Sequence, residues 1–223
     1  MTIEVEVVRH ARARRARLSV DPASGRVRLT IPRRAGIAKY RAWLDEHRDW
    51  IAAQQAKLPR PRPFAAGGTI PYGNGELTID WAATHPRAAR REDDRLVIGG
   101  AHEGLARRVE AWLKREAKRV LAAETADYAA RAGVDVTDVT IGDARARWGS
   151  CSSSGRIRYS WRLILAPDLV RRSTVAHEVA HRLHMHHGPA FHATADAIFE
   201  GSHADARRWL RAYGAALHWV GRE

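Results

Sequence analysis

Residues 177–192 read HEVAHRLHMHHGPAFH, and this stretch decides how the C-terminal half of the chain can fold. Six of the twelve histidines of the protein fall within it. Val175, Ala176, Val179 and Ala180 surround the first histidines at the spacing of an apolar helix face, which predicts a core helix. Because buried imidazoles need polar partners, the histidine face of this helix is expected to meet something enclosed.

The first two histidines of this stretch are one helical turn apart. Four residues on a helix leave the side chains of His177 and His181 about 40° apart, so both imidazoles can bind the same cation. Glu178 lies about 100° round the helix from His177, close to a water on that cation. Zinc held in this way keeps a position for water and lowers its pKa towards about 7. The pattern predicts one zinc ion per chain, with Glu178 as general base.

The third ligand is open between three residues, and spacing favours His187. Gly188-Pro189 predicts that the helix stops, and a turn over residues 185–188 would fold His187 back over the ion. His184 has a suitable angle on a straight helix, but it lies about 4.5 Å further along the axis than His181. Glu200 becomes an alternative if Pro189 begins a second helix that brings its carboxylate to the ion.

Upstream of the histidines, the pattern alternates between helix and strand. A long amphipathic helix is predicted over residues 103–132, with Gly133 as its C-cap. A strand at 136–141, a Ser/Gly-rich loop and a second strand at 156–165 follow, and a last helix begins near Ser202.

The first hundred residues are predicted to be rich in β-structure. Expected strands lie at 3–8, 17–20, 27–31, 76–81 and 95–98. A helix is expected at 37–58, and a Pro/Gly-rich connector at 57–68. The chain is therefore predicted to be α+β, with helices packed on a small antiparallel sheet. We expect an N-terminal region at 1–100 and a second domain at 101–223.

The composition is that of a globular protein with an unusual basic charge. Hydrophobic residues make up 45% of the 223 residues, and no apolar run reaches the length of a membrane span. The net charge is +13, and residues 1–62 alone carry 15 Lys and Arg against 6 Asp and Glu, a net charge of +9. That region could attract nucleic acid. The N-terminus lacks a signal-like apolar segment and the chain has one cysteine, which together predict a cytoplasmic protein.

Two ordered blocks, RWGSCSSSGRIRYSWRLILAP (147–167) and HEVAHRLHMHHGPAF (177–191), resemble the YgjP-like branch of the SprT-like zinc metallopeptidases. The resemblance implies a zincin-like metallopeptidase domain in which His177, His181 and His187 bind zinc and Glu178 is the general base. It also implies that an edge strand beside the metal accepts an extended polypeptide. The cleft wall that it implies comprises Trp148, Gly149, Ser150, Cys151, Ser160 and Arg162.

The sequence departs from the family pattern at three positions, which puts the lining of the cleft in doubt. Ser160 stands where Asn is usual, Ser173 where an aromatic residue is usual, and His192 where Trp often follows Phe191. The function expected from the motif and the resemblance is that of a zinc-dependent metallopeptidase. The alternative is a nucleic-acid-associated protein in which a zinc site is structural or vestigial, closed by four protein ligands. The basic N-terminal region motivates that alternative.

Overall fold

The computed structural model describes residues 4–223, apart from the side chains of Lys39 and Arg41. The chain forms two compact units, Met1–Arg60 and Pro61–Glu223. The predicted boundary was at residue 100, but residues 61–100 belong to the second unit. The reason is that the strands of this segment share one core with the long helix that follows, through Ile70, Leu77, Ile79, Leu96 and Ile98.

The first unit is a three-stranded sheet followed by two short helices. Its strands are β1 (Val5–His10), β2 (Arg17–Val20) and β3 (Val27–Pro32), in the order β1-β3-β2. Strand β3 pairs in parallel with β1 and antiparallel with β2, and its alternate side chains Val27, Leu29 and Ile31 are buried. The predicted first strand began at Ile3, which lies outside the described residues.

The single helix predicted at 37–58 is two helices in the structure, α1 (Lys39–Glu46) and α2 (Arg48–Gln55). His47 separates them with φ −99° and ψ 11°, which is not helical. Its ring Nδ1–H donates to the carbonyl of Trp43 at 2.7 Å. A side chain that binds a carbonyl in the preceding turn competes with the helical hydrogen bonds, and the helix breaks there.

The second unit begins with a four-stranded sheet and a long helix. The strands β4 (Thr69–Tyr72), β5 (Gly75–Trp81), β6 (Arg90–Glu92) and β7 (Arg95–Ile98) have the order β4-β5-β7-β6. A 3₁₀ turn at His102–Gly104 leads into α3 (Leu105–Ala132). Gly133 ends α3 in the left-handed region at φ 64°, so the predicted C-cap is confirmed.

A second sheet of three strands follows α3. It consists of β8 (Asp138–Gly142), β9 (Gly149–Cys151) and β10 (Arg156–Ser160) in the order β8-β10-β9. The prediction of one strand over 156–165 was wrong, because Trp161–Leu165 form a 3₁₀ turn in which the Arg162 N–H donates to the Ser160 hydroxyl. Ile164 is buried together with Leu163 and Leu165, so the apolar alternation in this segment does not mark one face of a strand.

Three helices complete the second unit: α4 (Asp168–Ala180), α5 (Pro189–Ile198) and α6 (His203–Leu217). Helix α4 is a core helix that packs against α3 and buries Val170, Val175, Ala176 and Val179. Ser202 caps α6 by accepting from the N–H of Asp205 at 3.1 Å, as its sequence predicted.

The predicted α+β class is confirmed, but the one small antiparallel sheet that was predicted is instead three small sheets, each of which mixes parallel and antiparallel pairs. No helix in the described part of the chain combines the length and apolar character needed to cross a membrane.

Candidate metal centre

Three imidazoles meet at the C-terminal end of α4. His177 lies in the last turn of α4, His181 is its C-cap, and His187 lies in the segment before α5. Their available ligand atoms lie within 4.8 Å of one another, and the Nε2 atoms of His177 and His187 are 3.1 Å apart. Among the His, Cys, Asp and Glu side chains of the described residues, these three histidines lie close enough together to hold one ion.

A backbone contact orients His181. Its Nδ1 lies 3.0 Å from the carbonyl oxygen of His184. A carbonyl can only accept, so Nδ1 carries the proton and Nε2 has the free lone pair. Such a hydrogen bond fixes the tautomer and ring orientation of a metal-binding histidine. His181 is therefore prepared to bind a cation through Nε2.

A short turn brings His187 to the other two rings. Helix α4 ends at Ala180, earlier than the Gly188-Pro189 stop that the sequence predicted. The N–H groups of Leu183 and His184 both donate to the carbonyl of Ala180, at 3.1 Å each, which closes the turn. The chain then returns towards α4 before Pro189 begins α5.

Phe191 packs against all three imidazoles. Its ring centroid lies 4.9 Å from that of His177, 4.6 Å from that of His181 and 4.7 Å from that of His187. Phe191 is 1% exposed, so the three rings rest on a dry apolar surface. This packing restricts their rotation and excludes water from one side of the group.

Burial keeps two of the imidazoles neutral. Burial, reinforced by His181 and His187, lowers the pKa of His177 to about 3. Burial also lowers the pKa of His181. Neutral imidazole is the form that binds a metal, so this charge state suits a cation site.

The Glu178 carboxylate lies between α4 and strand β9. Glu178 is 6% exposed, and burial raises its pKa to about 7, a rise that the charge of Arg147 partly offsets. No described residue donates a hydrogen bond to this carboxylate. A Cβ atom on Gly149 would lie only 2.5 Å from Oε1 of Glu178, so the glycine leaves the space that the carboxylate occupies.

The two alternative third ligands lie outside the histidine group. His184 contributes its backbone carbonyl to His181 and is not one of the three clustered rings. Glu200 follows α5 and forms ion pairs with Arg131 and Arg172. It also accepts a hydrogen bond from Tyr128 at 2.9 Å; burial, with this bond, raises the pKa of Tyr128 to about 12. Glu200 thereby joins α3, α4 and the end of α5.

The predicted cleft-wall residues divide into two groups. Gly149, Ser150 and Cys151 form β9, an edge strand that packs against α4. Burial is the main cause that raises the pKa of the Cys151 thiol, which therefore remains protonated near neutral pH. The short strand β9 was predicted as a loop, because glycine and serine have low β-propensity.

The other three residues of the predicted wall also have structural contacts, and two of them, Trp148 and Ser160, line a cavity beside β9. Trp148 packs on α6, with its ring centroid 5.3 Å from that of His218. Ser160 is 2% exposed and caps the following turn. Arg162 donates to the carboxylate of Asp143 at 2.8 Å and to the carbonyls of Leu217 and Val220, at 2.7 and 3.0 Å. These contacts hold the C-terminus of the chain to the second sheet.

One buried polar pair beside the site was not predicted. The Ser173 hydroxyl lies 2.7 Å from Nδ1 of His203, and Nε2 of His203 lies 3.1 Å from the carbonyl oxygen of Ala195. The pair joins α4, α5 and α6, and its Ser173 lies one helical turn before His177. The available signal was that Ser173 precedes His177 by four residues and replaces a usual aromatic residue.

Comparison with known proteins identifies one family. The family model described as "YgjP-like, metallopeptidase domain" matches residues 14–213, which includes parts of both compact units. No curated protein and no solved structure matches the chain.

Proposed function

The chain belongs to the YgjP-like metallopeptidase family, and from this we propose that it is a zinc-dependent peptidase with Glu178 as its general base. One observation carries the proposal. Three imidazoles lie next to a buried carboxylate, and an edge strand lies beside that carboxylate. No described residue donates a hydrogen bond to the carboxylate.

The donor set fits zinc. His177, His181 and His187 would hold one ion per chain through imidazole nitrogens, and three protein ligands leave a position for solvent. A bound zinc ion supplies a Lewis acid that activates water and polarises a carbonyl oxygen. The neutral charge of His177 and His181 and the fixed tautomer of His181 favour this binding.

Glu178 has the position expected of the base. It follows His177 directly in α4, and its carboxylate lies against Gly149 on the edge strand. We propose that it accepts a proton from water during attack on the peptide carbonyl and returns the proton to the leaving amine. A peptide that pairs with β9 would lie along this carboxylate.

The proposal is tested by comparing wild-type protein with Glu178→Gln. Both proteins are loaded with zinc, their zinc content is measured, and cleavage of an unfolded protein is followed with and without chelator. We expect equal zinc content and a cleavage rate at least about 100-fold lower in the variant, the usual effect of losing a general base. Equal rates in the two proteins would refute the role of Glu178, and cleavage that survives chelation would refute the role of the metal.

We propose nucleic acid as a second partner, through the first unit. Its exposed arginines outnumber its acids. Nine of them have no ion-pair partner among the described residues: Arg9, Arg12, Arg14, Arg15, Arg17, Arg26, Arg33, Arg34 and Arg60. Unpaired surface cations are the groups that displace counterions from phosphates.

The measurement for this second proposal is an oligonucleotide titration at two salt concentrations. We expect the affinity to fall steeply as salt rises, and to fall further when Arg12, Arg14 and Arg15 are changed together to Gln. Binding that does not change with salt, or with these substitutions, would argue against the first unit as a nucleic-acid site.

A further inference from the structure

The open edge of β9 offers backbone groups to a second chain. In the antiparallel pair with β10, Ser160 N–H donates to the Trp148 carbonyl at 2.8 Å, and Ser152 N–H donates to the Arg156 carbonyl at 2.9 Å. Hydrogen-bonded and non-hydrogen-bonded pairs alternate along such a ladder. Gly149 and Cys151 therefore direct their N–H and C=O groups away from β10. Those groups can pair with an extended peptide.

The two faces of this edge differ in chemistry. Gly149 faces Glu178, the proposed base. Because side chains alternate along a strand, Gly149 and Cys151 lie on the same face of β9, which we call the catalytic face. Ser150 lies opposite Arg158 in the register, and cross-strand neighbours share a face. A peptide residue aligned with Ser150 would thus point its side chain towards the face of Arg158, while its two neighbours would point towards Glu178.

That second face contains a cavity with arginine walls. A cavity of about 380 Å³ is lined by Arg147, Ser150 and Arg158. The same three residues line an adjoining cavity of about 530 Å³. The Arg158 guanidinium lies across Gly142, where a Cβ atom would be 2.5 Å from its Nε. Each cavity is large enough for an amino-acid side chain.

These two arginines have no ion-pair partner among the described residues, although the charge of Arg147 also acts on Glu178. Asp143, which lines the smaller cavity, already binds Arg162 at 2.8 Å. Asp138 pairs with Arg156 at 3.7 Å beside the larger one. Arg147 and Arg158 are exposed and form no ion pair with any residue that the structure describes. The cavity therefore has two guanidinium groups without an ion-pair partner among the described residues, and guanidinium is a strong partner for carboxylates.

We propose that this cavity is a specificity subsite of the peptidase, in which Arg147 and Arg158 bind an acidic side chain of a polypeptide extended along β9. The effect of this subsite on cleavage rests on the proposed function, whereas its binding of an acidic side chain does not. The subsite is one residue along β9 from the glycine that contacts Glu178, so an acid bound there lies close in sequence to the peptide bond that reacts. The peptide position aligned with Ser150 prefers Asp or Glu. The two adjacent peptide positions do not share this preference, because their side chains point to the other face.

The experiment uses short synthetic peptides that share one cleavable sequence and carry Glu or Gln at one position at a time. The ratio of kcat/KM for Glu over Gln is measured for the zinc-loaded wild type, Arg147→Gln, Arg158→Gln and the double variant. We expect a ratio of about five at one position for wild type, falling towards about one in the double variant. The preference weakens at high salt, because the charges are exposed. Arg115→Gln, which removes an exposed arginine of α3, is the control and retains the wild-type ratio.

A binding measurement separates this inference from the proposed reaction. Fluorescent Glu and Gln peptides are titrated into zinc-loaded Glu178→Gln, with and without the two arginine substitutions. If wild type cleaves no peptide, the proposed function fails, and the binding preference still decides the inference. A wild-type ratio near one at every position, or equal ratios in the arginine variants and Arg115→Gln, would overturn it. An oligonucleotide that displaces the Glu peptide and itself requires Arg147 and Arg158 would assign the subsite to phosphate instead.

Discussion

The side chain of Glu178 fills the space that any side chain at position 149 would need. A Cβ atom on Gly149 would lie 2.6 Å from Cγ of Glu178 and 2.5 Å from its Oε1. Contacts this short force one of the two groups to move. The edge strand and the proposed base are therefore positioned by the same close approach.

Gly149→Ala should lower peptidase activity without loss of zinc. The methyl group pushes the Glu178 carboxylate from its position, while the three histidines are unchanged. We expect kcat to fall by about tenfold or more, with equal zinc content by elemental analysis. Gly75→Ala is the matched control, because nothing lies within 4 Å of its added Cβ. A Gly149→Ala protein as active as the control would contradict the assigned role of this contact.

His187→Ala should weaken zinc binding much more than His184→Ala. The ring of His187 belongs to the clustered group, whereas His184 contributes only its backbone carbonyl. We expect the zinc affinity to fall more than about 100-fold for His187→Ala, beyond the loss typical of a supporting residue, and to change little for His184→Ala. Competition with a chromophoric chelator measures both. Equal losses would mean that the ligand set is assigned wrongly, and Glu200→Gln tests the other alternative in the same assay.

Glu124→Gln should destabilise the second unit strongly. Arg171 is 7% exposed and donates to Glu124 at 2.8 Å, which anchors α4 to α3. Gln at this position leaves Arg171 with one carboxylate partner, the more exposed Asp168 at 2.7 Å, and should cost about 2 kcal/mol of unfolding free energy. Glu110→Gln removes the exposed pair with Lys114 and should cost at most about 0.5 kcal/mol. Urea unfolding compares the two variants. Similar losses of unfolding free energy would show that the ion pair of Arg171 and Glu124 stabilises the protein no more than an exposed pair does.

The stability of metal-free protein should fall as the pH falls below 6.5, in part because of His218. Burial is the main cause that lowers the pKa of His218, and Arg162, Arg145 and Arg222 add to it, opposed by Asp143. The unfolded chain then binds a proton that the folded protein does not bind, so acid favours unfolding between the two pKa values.

His218→Phe removes this titrating group and keeps a ring against Trp148. Its stability should therefore depend less steeply on pH than that of wild type, by up to about 1.4 kcal/mol per pH unit below 6.5. Urea unfolding at several pH values in the presence of chelator measures the difference. Parallel curves for the two proteins would show that His218 does not contribute to the acid sensitivity.

The sequence was most informative where local pattern and packing agree. The apolar face of α4 and the stop at Gly133 follow from helical spacing and from the left-handed cap. The turn after α4 was predicted to bring His187 back, and the structure places His187 with His177 and His181. What the pattern misjudged was the length of α4: the N–H groups of Arg182 and Leu183 donate to carbonyls three residues earlier, so the α-helical pattern ends at Ala180.

Features that depend on distant residues were not predictable from one sequence. Strand β9 exists because β10 pairs with it, although Gly149 and Ser150 have weak β-propensity. Glu200 follows the histidines closely in sequence, but Arg131 and Arg172 hold it elsewhere. The 3₁₀ turn at Trp161–Leu165 has a strand-like apolar alternation, and only burial on several sides distinguishes it.

The most direct test of the account is a crystal structure of the zinc-loaded protein that resolves the coordination of the ion. We predict one zinc ion bound by ring nitrogens of His177, His181 and His187, with a solvent oxygen as fourth ligand beside the Glu178 carboxylate. Zinc closed by four protein ligands, or zinc bound away from these histidines, would contradict it.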